Sequence, residues 1–316
     1  MRFNNNFSSI NHKYNIKVVV FIMLFLPFSS HALEIKLIEQ ASGIFVHQGK
    51  HHGLEHPERD DIANIGFIEG DACIAVIDTG GSIAVGKALH DNIRKISSKP
   101  ICYVINTHVH FDHVLGNAAF QSPDTSFIGH VNLLSELQEN KQFFFDNFLP
   151  ELGGQENPDL IIAPDTLVET ELEIDLGNRK LLIQAHPTAH THTDLSIYDF
   201  QTKTLWLSDL LFVERTPVID GSLKGWLTVM DDINKKEFKH VIPGHGTPDL
   251  LPVDALARQQ IYLETLLNET RSMIEQGAFM EEVIDQVGQS EKEKWVLFDE
   301  QHKRNVSRAF VELEWE

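Results

Sequence analysis

Between Thr107 and His113 the chain reads "THVHFDH", three histidines and one aspartate directly after the apolar run "ICYVIN". Residues two apart at the end of an extended strand point to the same side, so His108 and His110 can hold one cation together. Asp112 and His113 turn the other way as the segment "FDHVLGNAAF" begins a helix, and a short motif can thereby serve two ions. Two ions need further ligands, and later apolar runs end in suitable residues. "LLIQAHPTAHTHTD" offers His186, His190 and His192, "TLWLSDLLF" offers Asp209, and "HVIPGHG" offers His245. Nitrogen and carboxylate donors without thiolate suit Zn²⁺, although Fe or Mn would accept them. Two such ions can share a hydroxide formed near neutral pH, which attacks a carbonyl, phosphoryl or sulfuryl centre.

The elements that must position these residues follow from hydrophobic period. "EIKLIEQASGIFVHQG" predicts two strands turning at Gly43, and "ANIGFIEGDACIAVIDTGG" two more turning at Gly70 and Asp71. "SIAVGKALHDNIRKISSKP" has helical spacing and stops at Pro100, so it predicts a helix joining two parallel strands. "TSFIGH" predicts a strand and "NLLSELQENKQFFFDNFLPEL" one helix. A second set of strands follows, "TLVETELEIDL", "KLLIQAH", "DLSIYDF" and "TLWLSDLLF", then helices over the last third. Two sheets face to face with helices outside are the expectation, in one domain from about residue 33 to 316.

Lys13 and Lys17 precede an apolar run of 11 residues and then small residues at Ser30 and Ala32. This predicts a secretory signal peptide over 1–32, cleaved after Ala32, and a periplasmic or secreted protein with no stable membrane insertion after cleavage. The formal charge is −20, and loss of the three cations Arg2, Lys13 and Lys17 leaves −23, which argues against nucleic acid as a partner. Cys73 and Cys102 are the two cysteines, and the spacing leaves a disulfide or two buried thiols open.

The motif His108, His110, Asp112, His113, followed in order by "AHTHTD", "LSDLLF" and "PGHG", resembles the metallo-β-lactamase superfamily, and "IDTGG" at Ile77–Gly81 fits as well. The resemblance implies an α/β fold, an αββα four-layer sandwich with the site at one sheet edge. It implies His108, His110 and His190 on a first metal, Asp112, His113 and His245 on a second, and Asp209 bridging. His190 is chosen over its neighbours because the family places an acid or Ser a few residues after His-Thr; His186 and His192 are then outer-shell or surface residues. Asp112 is the candidate for orienting the nucleophile and returning a proton.

Within the superfamily, "HQGKHHGLEHPERDDIANIGFIEG", "LSDLLFVERTPVIDGSLKGW" and "HKRNVSRAFVELEWE" are most similar to the SoxH-like group, the quinoprotein relay system zinc metallohydrolases. That resemblance implies an exported dinuclear zinc hydrolase acting on an ester, thioester, lactam or related bond of a small molecule, with a periplasmic quinoprotein or sulfur-oxidation system as partner. Competing readings are a β-lactamase, a mononuclear iron sulfur dioxygenase and a non-catalytic metal-binding accessory protein. Asp209 and Phe212 stand where many zinc β-lactamases carry other residues. The loop from Lys50 to Asp61 falls where the superfamily hangs a flap, so His51, His52, His56 and Arg59 are candidates for touching substrate, as are Arg215, Lys224 and Trp226. His47, His130, His240 and His302 read as structural or surface residues, and Phe143 to Phe145 as core.

Overall fold

Alternation along the strands sets the layers. In β4, Ile74–Ile77, the side chains of Ile74 and Val76 face helix α1, Ile83–Ile96, while Ala75 and Ile77 face a second sheet. The computed structural model describes residues 1–2, 35–248 and 252–316, so the leader expected over 1–32 lies, beyond its first two residues, outside the described residues. The described residues from 35 to 316 form one compact unit.

The first sheet has the order β1-β2-β3-β4-β5-β6-β7. β1 (Ile38–Ala41), β2 (Ile44–His47), β3 (Ile65–Glu69) and β4 run antiparallel; β5 (Ile101–Ile105), β6 (Ser126–His130) and β7 (Thr166–Val168) continue parallel to β4. The second sheet is β12-β11-β10-β9-β8, from β8 (Glu171–Asp175), β9 (Lys180–Ala185), β10 (Leu195–Asp199), β11 (Thr204–Phe212) and β12 (His240–His245). Ile44, Ile77 and Ile128 meet Ile183, Ile197 and Trp206 between the sheets. Burial of this apolar surface is the main favourable term in holding the layers together. Helix α1 covers one outer face. The other is covered by α5 (Leu223–Ile233), α6 (Pro252–Glu275) and α8 (Phe298–Leu313), with Trp226, Tyr262 and Val306 in their core; α7 (Met280–Gln286) joins this layer. The result is the expected four-layer sandwich.

Two details differ from the sequence expectation. The run "TLVETELEIDL" is not one strand: it bends at Glu169 and Thr170, so β7 closes the first sheet and β8 opens the second. The helix expected over "NLLSELQENKQFFFDNFLPEL" is two, α3 (Leu133–Glu139) and α4 (Lys141–Phe148), separated at Asn140, which caps one and starts the other. Cys73 and Cys102 are disulfide-bonded beside the β4–β5 pair. Among the described residues no helix is long and apolar enough to cross a membrane.

Candidate metal centre

The strand ends that carry the motifs are tied together by one buried carboxylate. Asp78, at the end of β4 with φ 55°, accepts from Thr107 N–H at 2.8 Å, from Thr107 Oγ1 at 2.7 Å and from Ser208 Oγ at 3.1 Å, and meets His113 Nδ1 at 2.8 Å. β4, β5, β11 and the short helix α2, Phe111–Val114, are thereby held at one sheet edge. Ser208 has φ 49° and lies where the β11–β12 register shifts, a bulge that turns Asp209 towards the same place. Gly244 is required beside it, because a Cβ there would overlap Asp209.

The expected donors converge in two adjoining groups. His108, His110, His190 and Asp209 offer atoms that all lie within 4.8 Å of one another, and so do Asp112, His113 and His245. Asp209 stands between the groups, with Oδ2 at 3.4 Å from His190 Nε2 and 3.2 Å from His245 Nε2, and Oδ1 at 3.2 Å from His113 Nε2. Asp112 Oδ2 lies 3.4 Å from His245 Nε2.

Each histidine ring is also held from behind. His190 Nδ1 donates to Val218 O and His245 Nδ1 to Ile62 O, both at 2.7 Å; His110 Nε2 meets Asp220 Oδ2 at 2.7 Å, and His108 Nδ1 meets Thr107 Oγ1 at 3.1 Å. With His113 on Asp78, all five rings use one nitrogen for orientation and turn the other inward. This is the arrangement that aims imidazoles at a cation. Buried His108 Nε2 has no hydrogen-bond partner, and buried His113 Nε2 and Asp209 Oδ1 face each other at 3.2 Å without the alignment of a hydrogen bond, a costly state for polar atoms that a bound ion would relieve. The donor set therefore fits a metal.

Charge follows the same plan. Burial, then the neighbouring His113, push His108 well below the usual imidazole range; burial and His110 push His190 down to about 3. Burial opposes charge on His113, but Asp209, Asp112 and Asp78 raise it well above that range, marking a place where a cation is favoured. Burial likewise opposes charge on Asp209, yet His245, His113 and His108 hold it well below the ordinary carboxylate range.

Beside the donors opens a cavity of about 940 Å³, with His110, Asp112, Asp209 and His245 on its wall. Of the residues expected at substrate, the structure places Arg215 on this wall and the others elsewhere. His52 and His56 stack at 3.5 Å beside Glu58, His51 faces Glu214, and Arg59 is drawn away by Glu151 at 2.8 Å and by Asn147 O. The flap reaches the cavity instead through Leu54 and Glu55. Lys224 pairs with Glu316 on the surface. Trp226 is fully buried, donates to Leu210 O and packs edge-on against His190, so it supports that ring. His186 is buried against Ser196 and His192 is exposed, both outside the donor groups.

Sequence reasoning missed Asp220, Arg304, Arg308 and the aromatic wall of Phe143, Phe144 and Phe148. Arg304 and Arg308 did carry a signal, since residues four apart on a helix share a face. Asp220 carried none, because its role exists only through contact with a histidine 110 positions away.

The sequence profile of the metallo-β-lactamase superfamily matches residues 59–268. The chain belongs to this superfamily. A linear primary-alkylsulfatase from a Pseudomonas species is 35% identical over 70 residues, 22% of this chain and 13% of that one. Among solved structures, a stereoselective inverting sec-alkylsulfatase from Pseudomonas superposes with a TM-score of 0.68 at 20% identity, over 87% of this chain and 50% of that chain. A metallo-β-lactamase from Pontibacter korlensis gives 0.57 at 17% identity, over 73% and 99%. The chain thus spans half the length of the sulfatase structure and shares the superfamily fold with both.

Proposed function

We propose that this superfamily member is a metal-dependent hydrolase of small molecules, with His108, His110 and His190 holding one ion, Asp112, His113 and His245 a second, and Asp209 between them. The observation that carries it is the set of five histidine rings, each fixed through one nitrogen with the other turned towards the remaining donors around Asp209. The nitrogen and carboxylate set favours Zn²⁺, with Fe or Mn as alternatives. Bound there, the ions would supply a nucleophile at neutral pH and withdraw charge from the bond under attack.

The chain's own part is orientation and proton handling. Asp112 lies on the cavity wall with its carboxylate 3.4 Å from His245 Nε2, so it orients the attacking water and passes its proton to the leaving group as the ester, thioester or lactam bond breaks. Val218, Ile62, Asp78 and Asp220 keep the rings from turning. The alkylsulfatase likeness adds sulfate esters to the bonds considered. β-Lactam hydrolysis is the weaker reading, because buried Phe212 stacks on His245 where some lactamases carry a lysine for the substrate carboxylate.

Export to the periplasm or beyond is proposed from the leader, supported by a disulfide of the kind that persists in oxidising compartments. Membership of the SoxH-like group and a quinoprotein partner are proposed from the sequence resemblance alone. The test is elemental analysis by plasma mass spectrometry of wild type, His110→Ala and Asp209→Ala, together with a panel of esters, thioesters, lactams and sulfate esters. About two zinc ions per wild-type chain, with loss of at least one in each folded variant, is expected. Full occupancy in both variants would overturn the ligand assignment. One iron with oxygen uptake would replace hydrolysis by sulfur oxygenation, and bound metal without turnover would favour an accessory protein.

A further inference from the structure

Two arginines of this chain are almost fully buried and are treated differently. Arg179 is 3% exposed and clamped by Asp199, with Nε to Oδ1 at 2.9 Å and Nη2 to Oδ2 at 2.8 Å. Arg215 is also 3% exposed, yet among the described residues no carboxylate forms an ion pair with it. Its Nη1 donates to His52 O at 3.0 Å, and its buried Nε has no partner. Asp112, Asp209 and Glu300 lie near enough to favour its charge against burial, but none closes an ion pair on it, and a buried guanidinium with an open Nε is a place for a further anion. Arg215 is also held in place, since Thr216 N–H donates to Val296 O at 3.0 Å and Val296 N–H to Glu214 O at 2.7 Å. It lines the same cavity as Asp112, Asp209 and His245.

The cavity has a second side of opposite character. Phe111 stacks on Phe148 at 4.1 Å, Phe143 lies 5.9 Å from Phe148, and Leu54 and Val109 continue the apolar surface. Phe143 is 52% exposed, an aromatic ring open towards the space it lines. Arg304 and Arg308, from α8, stand on the wall beside Asp220 and engage it through one end of each guanidinium, leaving other donors free. The arginines come from the β11–α5 loop and α8 and the aromatic rings from α2 and α4, while Glu55, Glu136 and Glu300 place acids on the same wall. A volume of about 940 Å³ accommodates far more than a short ester.

We infer that the substrate is an anionic amphiphile: Arg215 holds its charged group beside the metal donors, and the aromatic wall of Phe111, Phe143 and Phe148 receives its apolar part. This names the substrate class of the hydrolase proposed above and rests on that reading. Guanidinium geometry suits sulfate, sulfonate, phosphate or carboxylate, each offering two oxygens to the fork.

The experiment is calorimetric titration of the protein, with its metals, with three unhydrolysable probes: decanesulfonate below its micelle threshold, the neutral decyl methyl sulfone, and methanesulfonate. Decanesulfonate is expected to bind about tenfold or more tighter than either of the others, one charge-assisted contact giving that margin over the sulfone and burial of the alkyl chain giving it over methanesulfonate. Arg215→Met should erase the preference over the sulfone, and Phe143→Ser should narrow the preference over methanesulfonate. If Arg215→Met does not fold, Arg215→Lys replaces it and should bind decanesulfonate about tenfold more weakly than wild type. Equal binding of decanesulfonate and the sulfone by wild type would overturn the inference, as would an Arg215 variant that keeps wild-type affinity. Absence of turnover on every ester of the panel is the separate result that would overturn the hydrolase reading.

Discussion

At the centre around Asp209 every histidine ring is fixed by a second bond, whereas along the cavity wall Phe143 and Arg308 are about half exposed and lightly held. The donors sit at strand ends or just beyond them, where sheet hydrogen bonds and Asp78 fix the backbone. The wall comes from the flap, α3, α4 and α8, elements joined to the sheets by side-chain packing. The contrast teaches that the candidate metal donors are fixed by local backbone bonds and one buried carboxylate, while much of the cavity wall is assembled from distant elements through side-chain packing.

Asp220 lies on the border of the two regions and gives the sharpest test. It orients His110 and also receives Arg304 and Arg308 from the wall, and His110 with Arg304 holds its carboxyl well below the ordinary range against the effect of burial. Asp220→Asn is expected to weaken metal affinity by about tenfold to a hundredfold, read by competition with a chelator. Unchanged affinity would mean that His110 needs no support, and the contrast between centre and wall would fail there.

A smaller effect separates two histidines four residues apart. Burial pushes both His186 and His190 down to about 3, but only His190 faces the donors. His186 therefore stays neutral in the fold while the unfolded chain titrates near the ordinary imidazole value. As pH falls from about 6.5 towards 3, the unfolded state takes up a proton that the fold refuses, and stability is lost at up to about 1.4 kcal/mol per pH unit. His186→Asn should lose less stability than wild type between pH 7 and 5 in urea unfolding, with metal content unchanged. An equal loss in both proteins would rule out His186 as a source of acid sensitivity. The smallest effect is at the wall: Phe143→Ser should change stability by under about 0.5 kcal/mol, because the ring is half exposed, while raising KM for apolar substrates. A large drop in melting temperature would show that the ring belongs to the core after all.

The cluster of candidate donors was legible because its members are punctuation: histidines and aspartates that interrupt or end apolar runs at "THVHFDH", "LSDLLF" and "PGHG". The strands themselves were legible through their alternation, which also placed α1 between parallel neighbours. The failures have physical reasons. "TLVETELEIDL" looks continuous because its period survives the bend at Glu169 and Thr170, and only the partners on either side show that it changes sheets. The histidine-rich flap was the natural place to look for substrate contacts, but His52 and His56 stack on each other beside Glu58 and Arg59 pairs with Glu151, so the flap lines the cavity through Leu54 and Glu55.

Residue type and spacing along the chain decided the fold class, the strand-end placement of the donors and the superfamily, since each depends on hydrophobic period and short-range geometry. The tertiary structure alone decided which nitrogen of each histidine faces inward, that Asp78 and Asp220 hold the rings, and that Arg215 is buried with no ion pair among the described residues. Those facts depend on contacts such as Asp220 with His110, or Ile62 with His245 across 183 positions. Local pattern carries no trace of such contacts, because it is the packing of the two sheets that brings their partners together.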